Sequence, residues 1–196
     1  MPRTGLSPEE IRSKAIDLTI QRMRTDGFDK VRLVDVAKAI GVSHTVLYSH
    51  FANKSALFEA VSERWLNKID NELEIICQSK EDPIVKIHSW FMTLHRIKVE
   101  KVRHDPELYK SFDIAVESQK PVIIKHLQIN QRQMVDLVTE AIAAKKMKKA
   151  NPDQIATILR ESMAAFSHPK IIVQRVNENR KPLLKQTLDV VLKGLK

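Results

Sequence analysis

The sequence is poor in cysteine, glycine and aromatic residues, and each shortage narrows what the chain can be. A single cysteine, Cys77, among 196 residues excludes an internal disulfide and fits a reducing compartment. Four glycines and 5% aromatic residues, set against abundant Leu, Ile, Lys, Glu and Ala, point to an all-α chain. No apolar run approaches the ~18 residues that mark a membrane span, and the opening MPRTGLSPEE has no apolar signal-peptide region. A cytoplasmic protein with no membrane partner is expected. Acidic residues are outnumbered 24 to 33, a formal charge of +9, which suits a nucleic-acid partner without requiring one. Lys145, Lys146, Lys148 and Lys149 supply part of that excess and read as the solvated end of a helix.

Catalytic and metal motifs are missing as well. There is no glycine-rich phosphate loop, no GxSxG, no HExxH and no paired-cysteine pattern. His88 and His95 are seven apart on one helix, roughly 10 Å along its axis, too far to share one ion. No enzyme, metal or cofactor is expected.

The informative stretch is Leu33 to Lys54, LVDVAKAIGVSHTVLYSHFANK. Leu33, Val36, Ala37 and Ile40 recur at helical spacing, and Gly41 stands where that helix must stop and turn. Ser43 has the chemistry of an N-cap for a second helix running to about His50. Val46 and Leu47 are expected to face inward, leaving His44, Thr45, Ser49 and His50 outside. So short a helix needs its neighbours to hold it. This is how a helix-turn-helix offers small polar side chains to a DNA major groove.

Gly27-Phe28-Asp29, Asp35-Val36-Ala37, Gly41-Val42-Ser43, Leu47-Tyr48, His50-Phe51 and Lys54-Ser55-Ala56-Leu57 resemble the DNA-binding signature of the TetR/AcrR family of bacterial regulators. The resemblance covers roughly the first third of the chain. It implies a homodimer that binds double-stranded DNA through residues 1–54, and a helical effector-binding and dimerisation body over 55–196, about nine helices in all. It implies base contacts for His44 and Thr45 behind the cap Ser43, and phosphate contacts for Tyr48, His50 and Lys54. The family usually has Ser or Thr where Arg32 stands; a replacement phosphate contact and a solvated arginine both remain open there. A repressor released by a small, partly apolar effector is the expected function. A regulator without effector, an activator, and a helical carrier or enzyme are the alternatives.

Elsewhere the chain shows a repeated capping habit. Ser7-Pro8-Glu9-Glu10 reads as a capped helix start with a capping box, and Asp82-Pro83, Asp105-Pro106 and Asn151-Pro152 as Asx caps before proline. These divide the body into helices of about 83–103, 106–118, 121–148, 152–167 and 181–195, after a long connecting helix from about residue 53 to 79. Polar residues set in apolar stripes mark candidate effector contacts: His88, His95 and Asn130, with Phe91, Tyr109, Phe112 and Met134 beside them. A packed core in which the polar groups satisfy one another accounts for the same pattern. The resemblance implies that the last two helices pair with those of a second subunit, making Leu159, Phe166, Leu184, Leu188 and Val191 the candidate dimer interface, with Leu183 and Val190 adding a second apolar edge to the last helix; an internal core helix pair is the alternative.

Overall fold

A computed structural model describes residues 5–195, and all regular structure among them is helical. Ten α-helices follow in order: α1 Pro8–Asp26, α2 Leu33–Ile40, α3 His44–His50, α4 Lys54–Cys77, α5 Pro83–His104, α6 Pro106–Glu117, α7 Pro121–Ala143, α8 Pro152–Ser162, α9 Pro169–Gln174 and α10 Lys181–Gly194. Single 3-10 turns lie at Phe28–Lys30 and Ala164–Phe166. Met1–Thr4, at the start of the expected 1–54 segment, and Lys196 lie outside the described residues.

Packing groups the helices into two compact units that do not follow a single break in the sequence. One holds the residues up to Trp65 together with Asp105–Val122; the other holds Leu66–His104 and the chain from Ile123 onward. α4 contributes its first half to the first unit and its second half to the other.

The first unit is built on α1, α2 and α3. Ala15, Ile16 and Met23 of α1, Leu33, Val36 and Ala37 of α2, and Leu47 of α3 share one core with Phe28, Phe51, Leu57 and Val61. Leu108 of α6 belongs to the same core, and polar contacts fasten α6 in place. Arg24 grips Asp105 through two parallel bonds of 2.9 and 2.6 Å, the strong bidentate form of such a pair. The Phe28 N–H donates to Glu107 Oε2 at 2.7 Å, and Lys110 reaches Asp29 at 2.6 Å. The second unit buries Leu66, Ile69 and Leu73 of α4, Ile87, Trp90 and Leu94 of α5, Met134, Leu137 and Val138 of α7, and Leu159, Leu184 and Leu188 of α8 and α10.

Most helix starts follow their residues. Ser7 and Glu10 form the expected capping box, Asp82 accepts from the Ile84 N–H, and Asn151 caps α8 through Asp153 and Gln154. Asp105 makes no cap, because its carboxylate is engaged by Arg24. The ends depart more from the sequence reading. α7 stops at Ala143, short of the expected 148, because Lys145 adopts a left-handed φ of 56°. Lys145 N–H then bonds Ile142 O and Lys146 N–H bonds Ala141 O, a Schellman closure. The lysine run therefore follows the helix and does not form its last turn. The expected 152–167 helix ends at Ser162, gives way to a 3-10 turn, and is followed by the short α9, which the periodicity did not reveal.

The two left-handed helix ends make opposite predictions. Gly41 sits at φ 76°, ψ 22°, where a Cβ is strained, so Gly41→Ala lowers stability by about 1 kcal/mol. Lys145→Gly relieves the same strain and raises stability by about 0.5 kcal/mol. Urea unfolding of both variants checks the signs.

Candidate nucleic-acid interface

The turn between α2 and α3 is fixed by local chemistry. Gly41 N–H bonds Lys38 O at 3.2 Å and Val42 N–H bonds Ala37 O at 3.1 Å, a second Schellman closure that turns the chain sharply. Ser43 Oγ then accepts from the Val46 N–H at 3.2 Å and starts α3. Leu47 is fully buried and anchors the helix.

His44, Thr45, Tyr48 and Ser49 are exposed. Val46, expected to face inward beside Leu47, is 37% exposed, because a seven-residue helix on a flat seat buries one narrow stripe. His44 and Tyr48 lie one turn apart with ring centroids 4.2 Å from each other, forming a small aromatic platform with the Tyr48 hydroxyl at its edge. Ser43 is half-buried in its capping role. His50 is also half-buried, and its carbonyl accepts from Arg12 at 3.4 Å. Arg12 also lies over the Phe51 ring, which adds a guanidinium to this face that the sequence reading did not single out.

Arg32 precedes α2, is exposed and makes no side-chain cap. Among the described residues its side chain has no hydrogen-bond or ion-pair partner, which is compatible with both a phosphate contact and a solvated arginine. Lys54 opens α4; its Nζ bonds Asp29 O at 3.1 Å and lies 5.1 Å from the centre of the Phe58 ring. Asn53 caps that helix through the Ala56 N–H, which leaves other first-turn N–H groups beside the lysine.

The candidate effector residues fall into both units. Tyr109 and Phe112 stack edge-on with Trp65 in the first. Among the described residues the buried Tyr109 hydroxyl has no hydrogen-bond partner, and burial, then the charge of Asp113, pushes its pKa up. The others lie in the second unit, where several polar groups are already engaged. His88 Nε2 is 3.1 Å from Asp189, and Phe91 and Met134 are buried. His95 Nδ1–H donates to Phe166 O at 2.9 Å. Lys98 donates to Ser167 O and Arg180 to Ala165 O, so three side chains take the successive carbonyls of residues 165–167, at the end of the 3-10 turn and just past it. Asn130 Nδ2 donates to His126 Nε2 at 3.2 Å, and His126 Nδ1–H donates to Asp70 at 2.6 Å; these partners fix the neutral tautomer. Asn130 Oδ1 is left buried with no partner among the described residues.

His126 and Asp70 were not anticipated. A signal existed: His126 is four residues before Asn130 on the same face of α7, and Asp70 interrupts the apolar stripe of α4. Gln133 extends the network to Trp90 Nε1, Asp70 O and Glu74. Cys77, half-buried beside Glu74, has its thiol pushed up to about 12, which leaves little thiolate for redox chemistry. Among the candidate interface residues, Leu159, Phe166, Leu184 and Leu188 are buried within the chain itself, and Val191 is half-buried. The apolar side chains that α8 and α10 leave exposed are Ile158, Leu183 and Val190.

Two family models match, and between them they span both the helix-turn-helix and the body. Residues 15–61 match the bacterial regulatory proteins of the tetR family, and residues 83–189 match the Tetracyclin repressor-like C-terminal domain. The chain belongs to the TetR family of helix-turn-helix transcriptional regulators. Among curated relatives, the HTH-type transcriptional repressor ComR of Escherichia coli K12 is 30% identical over 71 residues, covering 35% of this chain and 34% of ComR. The HTH-type transcriptional regulator AcrR of Shigella flexneri is 26% identical over 134 residues, covering 63% of this chain and 62% of AcrR. The matched stretches thus span less than two thirds of either relative. The TetR fold extends further: the structure of SmeT from Stenotrophomonas maltophilia with triclosan superimposes with a TM-score of 0.65 at 19% identity, over 95% of this chain and 92% of that one. No helix among the described residues of this TetR-family chain is long and apolar enough to cross a membrane.

Burial holds His95 and His126 below the ordinary 6.5, outweighing the Phe166 carbonyl in one case and Asp70 in the other. The unfolded chain therefore binds protons near pH 6.5 that the folded chain refuses. Stability falls as pH drops below about 6.5 and levels off once the folded rings are also protonated. His126→Gln flattens this fall; urea midpoints at about pH 7.5 and 5.5 measure it.

Proposed function

We propose that this TetR-family chain is a cytoplasmic, homodimeric repressor that binds a palindromic operator and is released by a small, partly apolar effector. The observation that carries the DNA reading is α3 itself: a short helix whose one fully buried side chain is Leu47, with His44, Thr45 and Tyr48 presented outward. Residues 1–54 read DNA. His44 and Thr45 meet base edges, and Tyr48, His50, Lys54 and Arg32 meet phosphates. Two copies of α3 enter successive major grooves about 34–36 Å apart.

Residues 55–196 serve dimerisation and effector binding. Leu183 and Val190, a heptad apart on the solvent side of α10, supply the apolar surface of a symmetric contact with Ile158 of α8, over the internally buried Leu184 and Leu188. The effector reading draws support from Asn130 Oδ1, an unsatisfied buried acceptor that a ligand hydroxyl or N–H would complete, and from the triclosan bound by SmeT. Its transmission is mechanical. α6 is bolted to α1 through Arg24–Asp105 and to the Phe28 turn through Glu107, so a ligand that shifts α6 reorients the reading head. Such a ligand acts only by binding the DNA-incompetent arrangement more tightly.

Affinity for duplex DNA across a salt series tests the assignments. Lys54→Ala weakens binding to every sequence and lowers the salt slope by about one. Tyr48→Phe weakens binding to every sequence with the slope unchanged. His44→Ala changes the order of preference among operator variants, and equal loss across them removes its base-reading role. Val190→Lys converts the dimer to monomer in sedimentation, and an unchanged dimer would place the interface elsewhere.

A further inference from the structure

The second half of α5 and the segment leading into α10 enclose a cleft of about 260 Å³, lined by His95, Arg96, Arg103, Glu178, Arg180 and Lys181 together with Val99, Glu100 and Asn179. Its positive charges are unevenly matched. Arg96 is paired with Glu72 and Glu100. Glu178 sits 3.1 Å from Arg175 but 3.9 Å from Arg180 Nε, so its charge is committed mainly outside the cleft. Among the described residues, Lys181 has neither an ion-pair nor a hydrogen-bond partner. Arg103 has only the Val176 carbonyl, at 2.6 Å.

The guanidinium groups are also held in place. Arg103 is fixed by Val176 O, and Arg180 by Ala165 O at 2.7 Å and by stacking 4.5 Å from the centre of the Phe166 ring. Each bond to a carbonyl uses one N–H and leaves others available, and a guanidinium held in place is suited to bidentate recognition of an oxyanion. At the floor lies His95, only 6% exposed. Its Nδ1–H is given to Phe166 O, which leaves Nε2 without a hydrogen-bond partner among the described residues. A solvated basic surface explains Arg103 and Lys181; it does not explain a buried imidazole with a spare nitrogen beneath them. Burial first, and then Arg180 and Lys181, lower the pKa of this ring, and an anion would oppose the effect of those charges.

We propose that this cleft binds a small metabolite carrying a phosphate-like dianion, with Arg103, Arg180 and Lys181 as its charge partners and His95 donating from Nε2 once protonated. Bound there, the anion ties α5 to the first turn of α10, the helix assigned above to subunit pairing. The binding claim rests on the cleft alone and stands or falls independently of the DNA and core-effector readings.

The test is calorimetric titration of the full-length protein with inorganic phosphate, at ionic strength held constant with sodium chloride, alongside NMR titration of the His95 ring. The expected result is saturable binding with the His95 resonances titrating at higher pH in phosphate than in chloride. Lys181→Glu and Arg103→Gln, both at exposed positions, each weaken binding about tenfold or more and leave the melting temperature in chloride unchanged. Absence of saturable binding, an unmoved His95, or full binding retained by both variants overturns the proposal.

Discussion

A seven-residue helix has no stability of its own in water, and α3 is such a helix. Everything around it serves to hold it in one orientation. Gly41 closes α2 and turns the chain, Ser43 starts the new helix, and Leu47 drops into the core shared by α1, α2 and α4. Because only Leu47 is fully buried, His44, Thr45, Tyr48 and Ser49 are left exposed. That division, one anchor and an open face, is the physical basis for the regulatory function assigned to the chain.

The same constraint explains why α6 belongs with the reading head although it lies some fifty residues further along the sequence. A small three-helix core gains from another covering element, and Leu108 supplies its apolar contact. The bidentate Arg24–Asp105 pair and the Glu107 bond to the Phe28 N–H set its position. Being partly desolvated and directional, these contacts transmit displacement better than apolar packing, which can slide. The second unit uses a different device. Its buried polar groups are linked in short chains, Asp70–His126–Asn130 and Trp90–Gln133–Glu74, with only Asn130 Oδ1 in these chains left over, and each buried link costs stability if a neighbour is lost.

Features controlled by neighbouring residues in the chain were legible in the sequence. The caps at Ser7, Ser43 and Asn151, the turn at Gly41 and the buried position of Phe51 all follow from local chemistry. Features controlled by distant residues were not. Nothing near Asp105 indicates that Arg24, 81 positions away, takes its carboxylate and cancels the expected cap. With few glycines to mark stops, the chain ends α6 and α7 on left-handed Gln119 and Lys145, residues that carry no such signal. Periodicity identified Leu184 and Leu188 as apolar positions but not what covers them; α5 and α8 do so from within the chain. Among the candidate site residues on α3, His44 and Thr45 are exposed as their spacing predicts, whereas His50, expected outside, is half-buried. The candidate effector residues divide between an aromatic cluster and a polar network, because the identity of a side chain does not reveal its partner.

The central claim is that α3 reads a specific DNA sequence as one half of a symmetric pair. Selection of bound duplexes from a random library by the purified full-length protein, near physiological salt, tests it most directly. The account predicts enrichment of a palindrome whose half-sites lie about one helical turn apart, as two-fold related recognition helices require. Recovery of unselected DNA, with affinity collapsing as salt rises, would contradict it and leave the net charge of +9 as the source of binding.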